Sequence, residues 1–162
     1  METATPAHST YKPRGRPRLG RPRLLIIGCG DVGRRIVARL AARFRIVALT
    51  SSPERRPELR SAGVVPIVGN LDRRRSLSRL AAFGSRLIHL APPPEAGGRR
   101  DPRTHALLAA LRARPEHLVY VSTTGVYGDR GGALAGETSP PQPRNDRAFR
   151  RLDAERLVRA AG

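Results

Sequence analysis

From residue 24 onward, apolar positions come in short continuous runs, separated by segments in which they recur every three or four residues. The runs 24–27, 46–50, 64–68, 87–91 and 117–122 are of strand length. Their near-continuous apolar character is that of strands buried on both faces of a parallel sheet. Between them, Val32, Ile36, Val37, Leu40 and Ala41 fall at helical spacing through about Phe44. The same period predicts helices over 53–62, closed by Gly63, over 76–83, with Leu77, Leu80 and Ala81 on one side, over 104–114, and over 146–161. Pro92-Pro93-Pro94 with Gly97-Gly98, and the Gly/Pro-rich segment after Ser122, read as loops. Alternation of strand and helix, five strands deep, predicts an α/β doubly wound parallel sheet; right-handed crossovers set its strand order at 3-2-1-4-5. Residues 1–22 carry Pro6, Pro13, Pro17 and Pro22 with a basic cluster and no apolar period, and read as a disordered arm before one domain over 23–162.

The first predicted strand runs into Gly28-Cys29-Gly30-Asp31-Val32-Gly33 and then into a helix. By itself a G-x-G-x-x-G string also serves as a plain strand-to-helix turn. In this context it reads as a Rossmann-like dinucleotide site: Gly28 makes the sharp turn, Gly30 lets backbone approach a pyrophosphate, and Gly33 allows close helix–strand packing. The anion sits at the helix N-terminus, where free N–H groups and the helix dipole favour negative charge. The second strand ends in Thr50 and Ser51 with no carboxylate to bind an NAD ribose, and Arg55 and Arg56 follow. Guanidinium groups there favour a 2′-phosphate, hence NADP over NAD as cofactor. The third strand ends in Asn70 and Leu71, which either meet the adenine or form an Asx turn into the next helix. Ala91 and Pro92, ending the fourth, stand where ligands of open α/β sheets lie.

Charge changes the picture only in part. Lys plus Arg number 31 against 13 Asp plus Glu, a formal net charge of +18. Every one of these basic residues but Lys12 is arginine, scattered through the predicted helices, as expected of solvated helix faces rather than one binding stripe. Lys12-Pro13-Arg14-Gly15-Arg16-Pro17-Arg18 resembles an AT-hook, a minor-groove DNA binder, and makes DNA a distant alternative partner. The single cysteine, Cys29, excludes an internal disulfide. No apolar run is long enough for a membrane helix and no signal segment precedes the domain, so a cytoplasmic location without membrane contact is expected. His8, His89, His105 and His117 have no ligand spacing, and no metal site is expected. His89, inside an apolar run, reads as a core residue.

The fifth strand and the segments after it carry a family likeness. Tyr120-Val121-Ser122-Thr123-Thr124-Gly125-Val126-Tyr127-Gly128-Asp129, then Glu137-Thr138-Ser139-Pro140, then Leu152-Asp153-Ala154-Glu155-Arg156, resembles the extended and atypical short-chain dehydrogenase/reductases, the NAD-dependent epimerase/dehydratase group. The likeness spans about residues 23–160. It implies NAD(P) binding and, in active members, hydride transfer on a sugar nucleotide or other carbonyl substrate. It also implies that Thr123 orients the substrate oxygen. The family's Tyr-x-x-x-Lys pair falls on Arg147 and Arg151. Arginine stays protonated and cannot cycle a proton, so Arg147 cannot replace the phenol. Arg151 retains the charge to hold a ribose, and Tyr127 is either the nearest substitute acid or a packed aromatic at the base of the loop. Ile27 stands where extended members carry their first glycine, which places the turn closer to the atypical branch. The expectation is an NAD(P)-binding domain with epimerase or oxidoreductase chemistry; the alternatives are a non-catalytic dinucleotide-binding or sensor module and a fragment lacking its substrate region. An open sheet edge makes a homo-oligomer possible.

Overall fold

The computed structural model describes residues 20–83 and 85–161. Most of the basic arm, including the AT-hook-like segment, lies outside the described residues. The strands are β1 (Arg23–Ile27), β2 (Arg45–Thr50), β3 (Val65–Val68), β4 (Arg86–His89) and β5 (His117–Tyr120). All neighbours pair in parallel in the order β3-β2-β1-β4-β5, as the connectivity predicts. Among the described residues four α-helices connect or follow them: α1 (Asp31–Leu40), α2 (Arg56–Ser61), α3 (Pro102–Ala110) and α4 (Asp146–Ala161).

The continuous apolar runs are explained by two cores, one on each face of the sheet. Leu24, Ile26, Ile46 and Ala48 pack with Val37 of α1 and Leu59 of α2. Leu25, Ile27, Val47, Leu49 and Leu87 face the other way, onto Leu77, Leu80 and Leu107. Alternate residues of one strand thus feed opposite cores, and no position on β1 after Arg23 is left for a polar side chain.

Several boundaries differ from the periodic reading. The segment 53–62 splits into a 3-10 turn (Pro53–Arg55) and α2. The segment near 76–83 is a longer 3-10 helix, Arg74–Ala82, in which Leu77 and Leu80 are both fully buried. Residues three apart eclipse in a 3-10 helix, which lines up those two leucines over the sheet. The third α-helix stops at Ala110, because Leu111 turns to an extended conformation. β4 and β5 end early as ladders, although Leu90 still donates to Ile27 O (2.8 Å) and Val121 to His89 O (3.1 Å). A 3-10 turn, Thr124–Tyr127, sits inside the stretch read as loop. β5 is an edge strand, and its Val119 and the adjacent Val121 are 53% and 43% exposed beyond the reach of α1 and α2.

Candidate dinucleotide site

The C-terminal ends of the strands converge on the glycine turn. Gly28 has φ +84°, and a β-carbon there would meet Ala91 N at 2.8 Å and Ala91 Cα at 2.9 Å. Both the left-handed backbone and the close approach of the chain leaving β4 therefore demand glycine. Gly30 caps α1 with no side-chain cap, and nothing lies within 4 Å of the position of its absent β-carbon. The helix thus opens with free backbone donors facing clear space, the chemistry a pyrophosphate needs. Gly33 lies under the turn, where a β-carbon would touch Cys29 Sγ at 3.2 Å and Gly28 O at 3.3 Å. Cys29 itself is buried, and burial raises its thiol pKa. Asp31 is drawn aside to Arg35 (3.0 Å), while Val32 is 54% exposed on the first turn of the helix.

A cleft of about 310 Å3 opens beside this turn, and six of the residues singled out from the sequence line it: Gly28, Ser51, Asn70, Leu71, Ala91 and Pro92. Thr50 lies behind it, buried, with its hydroxyl accepting from Ser52 N (3.2 Å). Asn70 Oδ1 accepts from Asp72 N (2.8 Å), the Asx turn expected as one reading of that residue. Arg55 reaches back over the glycine turn and donates from Nη2 to Cys29 O (2.9 Å). Its Nε donates to Glu58 (3.2 Å), which also accepts from Arg34 (3.0 Å). Those two guanidinium groups hold the Glu58 carboxyl below its usual pKa. At the corner beyond β2 two arginines thus share Glu58, and one of them, Arg34, also lies 3.8 Å from Asp31. Glu58 was visible in the sequence but carried no spacing that marked it.

One closing strut of the cleft had no local signal. Arg103, on α3, grips Asp72 with two hydrogen bonds of 2.8 and 2.7 Å and donates to Pro92 O at 3.1 Å. It ties the loop after β3 to the loop after β4, and it lowers the Asp72 pKa.

The β5 end is built differently. Thr123 is exposed at the start of the 3-10 turn, and Tyr127 lines a separate cavity of about 320 Å3 with Gly128, Asp129 and Arg130. Arg147 is exposed at the first turn of α4, whereas Arg151 is buried and turned into β5. Its Nη1 donates to Tyr120 OH (3.1 Å) and to Val121 O (3.0 Å). Burial raises the Tyr120 pKa, and the adjacent Arg151 opposes that rise. Arg150, also buried, donates to Glu95 O (2.9 Å) and Gly98 O (2.5 Å), clamping the loop after β4. Ser122 donates to Glu155 (2.5 Å) and Asp101 N to Asp153 (2.8 Å), so α4 is tied to the β5 edge through Arg151 and Glu155 and to the segment between β4 and α3 through Arg150 and Asp153.

His89 belongs to this region as a structural group. Thr104 Oγ1 donates to Asp101 (2.7 Å), so it accepts from His89 Nε2 (2.9 Å) and leaves His89 Nδ1 bare. That nitrogen is buried without a partner among the described residues. Burial first, and then the charge of Arg151, push the His89 pKa down to about 4.

This architecture, a parallel sheet of order 3-2-1-4-5 with an uncapped glycine-turn helix at its C-terminal edge, defines a Rossmann-type dinucleotide-binding domain. The chain belongs to the NAD(P)H-binding family, whose model matches residues 28–162. It is 31% identical over 144 residues, 81% of this chain and 43% of the relative, to the 4-hydroxy-2-methyl-3-oxo-4-farnesyl-3,4-dihydroquinoline-1-oxide ketoreductase of Stigmatella aurantiaca. Among solved structures it is similar to MoeE5 in complex with UDP-glucose and NAD, with TM-score 0.66, 26% identity, and coverage of 86% of this chain and 48% of that one. The UDP-Glc/GlcNAc 4-epimerase of Campylobacter jejuni shares the fold at TM-score 0.71 and 18% identity, over 86% of this chain and 49% of that one. The chain spans about half the length of these relatives. It is an NAD(P)-binding domain that resembles the epimerases and short-chain reductases. No helix among the described residues is long and apolar enough to cross a membrane.

Proposed function

We propose that this domain holds NADP(H) in preference to NAD(H) along the C-terminal edge of the sheet, as the dinucleotide-binding half of a carbonyl oxidoreductase or sugar-nucleotide epimerase. The observation that carries the reading is the convergence of Gly28, Ser51, Asn70, Leu71, Ala91 and Pro92 on one cleft beside the free N-terminus of α1. The pyrophosphate then lies over Gly30-Asp31-Val32, and the adenosine lies in the cleft. Arg34 and Arg55 both pair with Glu58, Arg34 also lies 3.8 Å from Asp31, and Arg56 is exposed beside them; guanidinium groups at this corner favour a 2′-phosphate. A bound dinucleotide supplies the hydride that such a reaction moves. On the substrate side, Thr123 offers an exposed hydroxyl at the end of β5 for the reacting oxygen, and Tyr127 offers a phenol near it in sequence.

A second reading is favoured by a specific observation: Arg147 and Arg151 occupy the positions of the tyrosine and lysine pair, and Arg151 is committed to Tyr120 and Val121. Under that reading the domain binds the dinucleotide without using it.

Fluorescence titration with NADPH and NADH tests the binding claim. Saturable binding of NADPH below about 1 mM is the expected result, and no saturation with either nucleotide sinks it. The variant Arg55→Ala/Arg56→Ala should weaken NADPH by about tenfold more than NADH, since removing a phosphate contact is worth about 1.4 kcal/mol. Equal losses remove the preference. Turnover of NADPH with an added ketone separates the first reading from the second.

A further inference from the structure

The corner beyond β2 holds an internal anion on the groups that a phosphate would need. Arg55 turns the planar fork of its guanidinium to Glu58, with Nε 3.2 Å from Oε2 and Nη2 3.4 Å from Oε1. From the first turns of α1, Arg34 Nη1 donates to the same carboxylate at 3.0 Å. A guanidinium fork on a carboxylate is also the geometry with which arginine takes up a phosphate. The N–H groups with which Arg34 and Arg55 meet at this corner are therefore already filled, and a 2′-phosphate takes them by displacing Glu58.

Glu58 can leave while its helix stays. Its neighbour Leu59 is 1% exposed and fixes α2 on the sheet. The Glu58 side chain itself is 46% exposed, so rotation about its own bonds carries the carboxylate into water. Ion pairs at such exposure are weak, about fivefold or less each in an equilibrium. Arg55 has a second hold, since Nη2 also donates to Cys29 O at 2.9 Å over the glycine turn. Arg34 has Asp31 at 3.8 Å, although Asp31 lies closer to Arg35, at 3.0 Å. Both guanidinium groups thus keep an anchor when Glu58 swings away. A phosphate monoester brings about two negative charges at pH 7 against one for the carboxylate, so the exchange favours it, less the pairs it breaks. NAD carries a hydroxyl at that position and breaks none.

Given the dinucleotide reading of the cleft, on which this rests, we propose that Glu58 sets how strongly the site prefers NADP(H) over NAD(H). Its carboxylate competes with the 2′-phosphate for the donors of Arg34 and Arg55.

Fluorescence titration of the full chain and its Glu58→Gln variant with NADPH and NADH tests this. Glu58→Gln should tighten NADPH by about fivefold to tenfold, because two exposed ion pairs no longer have to be broken, and leave NADH within about twofold. Competition by adenosine 2′,5′-bisphosphate should follow the NADPH pattern, and competition by 5′-AMP the NADH pattern. Glu54, exposed on the 3-10 turn before α2, supplies the control: Glu54→Gln removes the same formal charge and should move either nucleotide by about twofold or less. In an Arg34→Gln/Arg55→Gln background, Glu58→Gln should tighten nothing, since the donors under competition are gone. A Glu58→Gln variant that binds NADPH no tighter, or more weakly, than the unaltered chain overturns the inference, because the carboxylate then serves to hold the arginines in place. Equal gains for NADPH and NADH overturn it too, as do equal gains from Glu58→Gln and Glu54→Gln. All of these leave the dinucleotide site standing, whereas an unaltered chain that saturates with neither nucleotide removes the site and the inference together.

Discussion

The two ends of the C-terminal edge of this sheet spend their polar groups in opposite ways. At the glycine turn the Gly30 N–H is held by Gly28 O (3.0 Å), but no side chain caps α1, nothing lies within 4 Å of where a Gly30 β-carbon would be, and the cleft beside the turn is lined largely by small or neutral residues. At the β5 end the polar side chains are engaged with one another. Arg151 holds Tyr120 and Val121, Arg150 holds the loop after β4, Ser122 holds Glu155, and Asp153 holds the backbone of Asp101. The first region presents a helix start without a side-chain cap beside a cleft, and the second fixes a helix. Arg151, which the resemblance places at the family's lysine position, is engaged here with Tyr120 and Val121, whereas Thr123 is exposed.

The contrast is tested hardest at Gly28. Gly28→Ala must place a β-carbon at positive φ and within 3 Å of the Ala91 backbone, on the order of a clash that the turn cannot relieve. Left-handed strain of about 1–2 kcal/mol and overpacking of about 1–3 kcal/mol together predict a loss of about 3 kcal/mol or more in urea unfolding, with NADPH binding abolished. The matching change at the other end, Gly125→Ala, meets only Thr123 Oγ1 at 3.3 Å and should cost under about 1 kcal/mol. Comparable costs at the two glycines would show that the turn holds no special geometry.

His89 gives the next largest effect, and it belongs to the strut region. Its pKa in the folded chain, about 4, lies below the ordinary 6.5, so the unfolded chain binds the extra proton first. Stability is therefore complete above pH 6.5, declines as the pH falls, and has lost the His89 contribution once the pH is below about 4. The gap of about 2.5 units corresponds to about 3 kcal/mol. Denaturant titrations between about pH 7 and pH 4 should show that slope. His89→Gln, which retains a donor for Thr104, should flatten it; an unchanged slope in the variant would remove His89 from the acid response.

Arg103 joins the two regions, since it spans the cleft from α3. Arg103→Ala breaks a two-point ion pair that is about a quarter exposed on the arginine side, so a loss of about 1–2 kcal/mol is expected, less than for a buried pair. Because Asp72 and Pro92 then move independently, NADPH affinity should fall by about threefold to tenfold. A stability loss with undiminished affinity would mean that the strut supports the fold and not the cleft.

These effects also show what could be read from the chain before folding. The strands, their order and the glycine turn were legible because each is written in contiguous residues: apolar runs at β1, β2 and β5, and three glycines at fixed offsets. The arrangement of Leu77 and Leu80 admitted either an α- or a 3-10 helix, because a three-residue spacing satisfies both over one turn. The 3-10 turn at Thr124–Tyr127 was hidden in a Gly-rich stretch whose composition favours any turn. The struts were not legible at all. Arg103 and Asp72 are 31 residues apart, and Arg150 and Glu95 are 55 apart. In a chain with arginine at so many positions, nothing local distinguishes the guanidinium groups that are buried from those that face solvent.

Arg151→Lys makes the smallest of these changes and bears most directly on the contrast between the two ends. One guanidinium nitrogen serves both the Tyr120 hydroxyl and the Val121 carbonyl from a buried position. Lysine keeps the charge but offers a compact ammonium on a flexible stem, so the two bonds cannot be held with the same geometry. If Arg151 is a strut, the variant loses about 1 kcal/mol of stability, the worth of one hydrogen bond, and NADPH affinity stays within about twofold. Should NADPH affinity instead rise or fall by about tenfold with stability unchanged, the cation at this position touches the dinucleotide, and the β5 end would have to be counted as part of the site.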